Sequence, residues 1–205
     1  MESKEKNTKE KILEEALKLF AQSGYMGTSM NDIASKLGVT KAALYKHYKS
    51  KQEILDSIID KMNELDIERV KLYEMPEGDL EKVTAEYKET AFDKIKQFTK
   101  VQFLHWTEEE FSSCFRKMLT LEQYREPQMA QLYQNYLASG PLAYMEALFS
   151  GMLGDAEKAR QTALDFYGPI FLLYSIYDGA EDKSYVIKLL EEHMDHFYRE
   201  MQKNL

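Results

Sequence analysis

The stretch Ser29-Met30-Asn31-Asp32-Ile33-Ala34-Ser35-Lys36-Leu37-Gly38-Val39-Thr40-Lys41-Ala42-Ala43-Leu44-Tyr45-Lys46-His47-Tyr48 decides how the rest of the chain is read. Ser29 followed by Asp32 has the form of a capping box. The Ser oxygen takes a free helical N–H, while the acid at the third helical position reaches back. A short helix through Ile33, Ala34 and Leu37 should follow and stop at Gly38, which reaches positive φ without a Cβ clash. Thr40 then offers its oxygen as the N-cap of a second short helix, Lys41 to about His47, with Leu44 and Tyr48 four apart on one face. The pattern is two short helices joined by a tight turn.

Outward from this pair the periodicity stays helical. Upstream, Ile12, Leu13, Ala16, Leu17, Phe20 and Ala21 recur at helical spacing, and Gly24 is a stop signal. Downstream, Ser50-Lys51-Gln52-Glu53 is a second capping box. It opens a long helix striped by Ile54, Leu55, Ile58, Ile59, Met62 and Leu65. Pro76-Glu77-Gly78-Asp79 is the clearest break. Beyond it the spacing predicts helices at about 80–105, 108–123, 127–151, 155–178 and 183–203, with Thr107 capping the second of these and kinks or breaks at Gly140-Pro141 and Gly168-Pro169. No strand-period segment and no repeat appears, so the expected fold class is all-α. The division expected is a helix-turn-helix domain over 1–55, a linking helix to about 75, and a helical ligand-binding and dimerisation domain over 76–205.

Composition sets the outer limits. The chain has 205 residues, 44% hydrophobic and 30% charged, with 9 Gly and 4 Pro, which excludes collagen-like, low-complexity and wholly disordered chains. The longest apolar run, Ile170 to Tyr174, is far too short to span a membrane, and the charged start lacks the apolar segment of a signal peptide, so a cytoplasmic protein is expected. A single cysteine, Cys114, excludes an internal disulfide and a Cys-rich zinc site. The net charge is −8, yet residues 1–55 hold ten Lys against seven acids, and Ile33 to Gln52 holds five Lys with no acid. A local polyanion site on an acidic protein fits this asymmetry.

A helix-turn-helix places its second helix in the DNA major groove. Lys41 can reach base acceptors or phosphate, and Ala42 and Ala43 are small enough for close approach to a thymine methyl. Tyr45, His47, Tyr48, Lys49 and Lys51 gather donors for phosphates, with Lys46 beside them, and Ser29 and Thr40 stand where helix N-terminal N–H groups attract anions. Capping boxes and scattered lysines also occur in helical proteins with no nucleic-acid partner, so the local features leave both readings open.

Taken in order, the motifs Ile12-Leu13-Glu14-Glu15-Ala16-Leu17-Lys18-Leu19-Phe20, Gly24-Tyr25, Thr28-Ser29-Met30, Asp32-Ile33-Ala34, Leu37-Gly38-Val39-Thr40-Lys41, Leu44-Tyr45-Lys46-His47-Tyr48 and Ser50-Lys51-Gln52-Glu53-Ile54-Leu55 resemble the DNA-binding domain of the tetracycline-repressor (TetR) family of bacterial regulators. The resemblance covers residues 8–55. It implies that the helix from Lys41 is the recognition helix, that Tyr45 and Lys51 contact phosphates, and that Thr40, Lys41 and Ala42 lie nearest the base edges. It also implies a homodimer on a double-stranded operator and a small-molecule effector bound by the C-terminal domain. A DNA-binding protein without an effector, with an architectural or division-control role, is the alternative.

Two stripes suit self-association: Val186, Leu190, His193, Phe197 and Met201 on the last helix, and Ile170 and Tyr174 on the one before. They could equally complete the core of one chain. For an effector pocket the candidates are Phe103, Trp106, Phe111, Phe115, Met118, Tyr133, Tyr136, Phe166 and Tyr167, since ligand sites are mostly apolar and aromatic. A packed core explains any one of them as well. The Glu108–Glu110 run reads as a helix-dipole cap, or as an attraction for a cationic effector. His193 and His196 with Glu192 and Asp195 read as helix surface rather than a metal site. No nucleophile motif, phosphate loop or cofactor motif is present, so no enzyme and no cofactor are expected.

Overall fold

The structure is a computed structural model that describes the backbone of residues 2–203 and the side chains of residues 7–203, and all of its regular elements are helices. They are α1 (Glu2–Ser23), α2 (Met30–Lys36), α3 (Lys41–Tyr45), α4 (Lys51–Leu72), α5 (Leu80–Glu89), α6 (Phe92–Thr107), α7 (Glu110–Glu122), α8 (Pro127–Leu137), α9 (Ser139–Leu153), α10 (Ala156–Gly179) and α11 (Lys183–Gln202). None is long and apolar enough to cross a membrane among the described residues. The all-α expectation holds.

Local chemistry explains the boundaries. The Ser29 box is complete: the Ser oxygen accepts from Asp32 N–H, and the Asp carboxylate accepts from the Ser29 N–H at 2.8 Å. Gly38 turns at φ +67°, and the Thr40 oxygen accepts from Ala43 N–H at 3.2 Å. At the head of α4, Ser50 caps Glu53 N–H, while the Glu53 carboxylate reaches one residue further back, to Lys49 N–H at 2.6 Å.

Three expected boundaries move. The helix expected over 80–105 divides at Thr90 and Ala91, without a Gly or Pro to announce it. Thr107 is the last residue of α6, and its hydroxyl donates to Phe103 O at 2.8 Å instead of capping α7. The segment expected over 127–151 breaks at Ala138, between α8 and α9. Pro141 has no N–H to offer Leu137 O, and that carbonyl is taken by the Tyr167 hydroxyl at 2.8 Å. Pro169, by contrast, sits inside an unbroken α10.

The chain forms two compact units that do not follow the linear division expected at residue 76. One comprises the chain up to Arg69 together with Glu110–Tyr133. The other comprises Val70–Glu109 and the chain from Gln134. In the first, α7 lies along α1, and Phe115, Met118 and Leu119 are buried with Leu17, Phe20, Ile54, Ile58 and Met62. Lys18 of α1 pairs with Glu110 at 3.1 Å, and Lys61 of α4 reaches both Glu14 and the Phe111 ring. The second unit is built on α10, which packs against α6, α9 and α11. Phe103 stacks on Tyr174 at 5.2 Å, and Phe166 meets Phe149 and Phe197 edge-on. Lys96–Asp195 and Lys100–Glu191 pairs tie α6 to α11.

Candidate nucleic-acid interface

Of the five residues of α3 only Leu44 is fully buried, and it anchors the helix in the first unit. Lys41, Ala42, Tyr45 and Lys46 are exposed, as are Ser29, Thr40 and Lys49, while His47 is half-buried with its Nδ1 lacking a hydrogen-bond partner. Tyr48, four residues after Leu44, is buried beneath them. One surface around α3 therefore carries small residues, a phenol and ammonium groups over an apolar anchor.

The partners of the lysines distinguish this surface. Lys18 and Lys61 are held by carboxylates. Among the described residues, the ammonium groups of Lys9, Lys11, Lys36, Lys41, Lys46 and Lys49 make no hydrogen bond or ion pair. Lys41 touches only the Tyr45 ring, at 5.7 Å from its centroid. Unpaired cations on an acidic protein are available to a polyanion.

Lys51, expected to contact a phosphate, also has partners within its own chain. Its ammonium donates to Tyr25 O at 2.6 Å and to Thr28 O at 2.8 Å, and stands 4.3 Å from the centroid of the Tyr25 ring. Burial pushes its pKa below the usual lysine value, against the opposing field of Glu122. The group is occupied in pinning the loop between α1 and α2 to the head of α4. Lys51→Ala should therefore cost about 1–3 kcal/mol of stability, as loss of charged hydrogen bonds does. Thermal melts of the variant and wild type check this.

The same loop receives a buried acid that the sequence reading passed over. Glu122, the last residue of α7, is fully buried; one carboxylate oxygen lies 3.5 Å from Arg125 and the other has no hydrogen-bond partner. It covers Gly24, whose φ is +82° and where a Cβ would fall 2.0 Å from the carboxylate. Only the spacing from Arg125 hints at it in the sequence, as an ordinary i,i+3 surface pair.

The candidate pocket residues divide between the two units. Phe111, Phe115, Met118 and Tyr133 belong to the first unit, where Phe115 and Met118 are core. Phe103, Trp106, Tyr136, Phe166 and Tyr167 belong to the second. There Phe103 is buried against Tyr174, Trp106 lies edge-on to Tyr136, and the Tyr167 hydroxyl closes the helix break at Leu137. The acidic run is also engaged. Glu108 accepts from the Tyr177 hydroxyl at 2.5 Å, Glu109 pairs with His105 at 2.6 Å, and Glu110 holds Lys18. Burial, reinforced by Glu108, pushes the Tyr177 phenol up to about 12.

The residues of the expected dimer stripe divide between the core and the surface of the second unit. Ile170, Tyr174, Val186 and Leu190 are buried within their own chain, where they seat α10 and α11 in the second unit. His193, Phe197 and Met201 line a cleft of about 370 Å³ together with Leu164 and Pro169. His193 reaches Phe166 O at 2.9 Å. The face left uncovered runs along α10 through Leu164, Phe171, Leu172 and Ile176, with Tyr185 exposed on α11. No group of side chains with metal-ligand geometry occurs among the described residues.

Comparison with known proteins adds to this geometry. A family profile described as bacterial regulatory proteins of the tetR family matches residues 12–58. The biofilm operon icaADBC negative transcriptional regulator IcaR of Staphylococcus epidermidis is 46% identical over 46 residues, which cover 22% of this chain and 25% of that protein. IcaR of Staphylococcus aureus strain Newman is 41% identical over 51 residues, 25% of this chain and 27% of that one. The match thus spans about a quarter of the length of these relatives. Among solved structures, a transcriptional regulator (TerR/AcrR family) from Aquifex aeolicus superposes with a TM-score of 0.64 at 21% identity, covering 92% of this chain and 98% of that one. PfmR from Thermus thermophilus, a TetR family transcriptional regulator, gives 0.55 at 22% identity, covering 92% and 97%. These likenesses establish a shared fold over nearly the whole chain.

Proposed function

We propose, since residues 12–58 match the profile of the tetR family of bacterial regulatory proteins, that the chain is a sequence-specific DNA-binding transcriptional repressor acting as a homodimer and released by a small lipophilic or aromatic molecule. The observation that carries the DNA reading is the surface of α3: one buried anchor, Leu44, beneath exposed Lys41, Ala42, Tyr45 and Lys46, whose ammonium groups have no carboxylate partner. In this reading α3 lies in the major groove, with Lys41 and Ala42 at the base edges. Thr40 stands with them, while Ser29, Tyr45, Lys46, His47, Lys49 and Lys51 face the phosphates and fix register as the groove contacts specify sequence.

A single short recognition helix reads few bases, and two-fold pairing doubles the site. The uncovered α10 face supports a dimer through Phe171, Leu172 and Ile176. Leu172→Glu should convert dimer to monomer in sedimentation equilibrium, and a dimer that persists unchanged would move the interface elsewhere. The effector part rests on the aromatic side chains of the second unit, Phe103, Trp106, Tyr136, Phe166 and Tyr167, which match the composition of ligand sites.

The test is selection from a pool of random duplexes at near-physiological salt, followed by salt titration of the winners. A two-fold symmetric sequence is the expected result, and its affinity should fall on adding a bound effector, since coupling between two sites is reciprocal. Salt-sensitive binding with no enriched sequence would favour an architectural role. Absence of binding would overturn the reading.

A further inference from the structure

The family match begins at residue 12, but α1 begins at Glu2, so nearly three helical turns precede the matched segment. Lys9 stands three and four residues before Ile12 and Leu13, both buried, so it lies one turn earlier on the same side of α1, and it is itself exposed. At that turn the helix carries an ammonium instead of an apolar side chain. Its Nζ lies 5.9 Å from the centroid of the Tyr48 ring, in the turn that joins α3 to α4. That turn also holds Lys46 and Lys49, and all three ammonium groups make no hydrogen bond or ion pair among the described residues. The contrast within α1 is direct: Lys18, further along the same helix, is held by two carboxylates.

We infer that Lys9 is part of the nucleic-acid interface, a phosphate contact supplied by the first turns of α1 and carried to the edge of the recognition helix by the Tyr48 ring. The inference rests on the DNA-binding reading of α3. The ring holds the ammonium by a cation–π contact next to the turn that carries Lys46 and Lys49, and its N–H donors remain for a phosphate oxygen. A duplex lying along α3 would then meet cations from two separate segments of sequence. Lys11 supplies the internal control: it is two residues on, about 200° round the helix, exposed and equally unpaired.

The experiment titrates the full chain against a random-sequence duplex at several salt concentrations. It compares wild type, Lys9→Ala, Lys9→Arg, Lys11→Ala and Lys46→Ala by fluorescence anisotropy. Each phosphate contact contributes about 0.9 to the slope of log affinity against log salt. Lys9→Ala should therefore flatten the slope by about 0.9 for each protomer engaged, making binding roughly threefold less sensitive per contact between 50 and 200 mM salt. Lys9→Arg should keep the wild-type slope, and so should Lys11→Ala. A change that acted only through folding or stability would leave the slope where it was. If Lys46→Ala flattens the slope and Lys9→Ala does not, the α1 contact is overturned while the DNA reading stands. If Lys9→Ala and Lys11→Ala flatten it equally, net charge and not position is responsible, and the inference again fails. A wild-type slope near zero would sink the DNA reading, and this inference with it.

Discussion

Ala42→Asp is expected to reduce affinity for the selected operator by about three orders of magnitude, with helicity and melting temperature close to wild type. Ala42 is exposed and lies in the first turn of α3, where an acidic side chain favours the helix dipole and so should not disturb the fold. On DNA the same carboxylate would meet base acceptors and phosphates at short range, and like-charge juxtaposition of that kind costs several kcal/mol. About 4 kcal/mol corresponds to a thousandfold loss. Anisotropy titration with circular dichroism on the same sample separates recognition from folding. Retention of operator affinity within about threefold would remove α3 from the groove, whereas nucleic-acid binding lost together with helicity would mean that the first unit had unfolded.

The largest stability effect is expected at Gly24. Gly24→Val combines two costs: a β-branched residue at φ +82°, and a Cβ placed 2.0 Å from the Glu122 carboxylate. Glu122 has little room to yield, because it is fully buried and already linked to Arg125. A loss of about 3–5 kcal/mol follows, which in a chain of this size lowers the melting temperature by roughly 10 °C or more. Adding Glu122→Ala should recover the steric part and leave the backbone part, so the double variant should melt between the single variant and wild type. A melting temperature unchanged by Gly24→Val would mean that the loop adopts another conformation.

The helix-turn-helix was legible because its signals are local. Ser29, Gly38 and Thr40 act on groups within four residues of themselves, and the structure uses each of them as its chemistry suggests. What was not legible depends on which surface covers which. A helical stripe shows that Val186 and Leu190 share a face, but not that their own chain covers it, leaving Leu172 and Ile176 outside. The aromatic spacing of Phe111, Phe115 and Met118 was clear, yet nothing in it says that the helix carrying them lies along α1. Lys51 illustrates the same limit for a polar group. A lysine at the head of α4 suits a phosphate as well as it suits two carbonyls, and nothing in the local sequence announces the approach of Tyr25 O and Thr28 O. The surface expected for DNA is exposed as anticipated at Lys41, Ala42, Tyr45, Lys46 and Lys49, and Lys9 joins it from a segment where the motif gave no signal.

The first unit is interrupted in sequence: α7 enters it only after forty residues that belong to the other. On the ribosome, then, α1 to α4 emerge well before the helix that lies along α1, and Leu17 and Phe20 wait in a nascent chain without Phe115 and Met118 to cover them. Each unit must be partly made before either can be finished. A gene fragment ending at Arg69 would fix that unfinished stage permanently, and its product should aggregate where the full chain stays in solution.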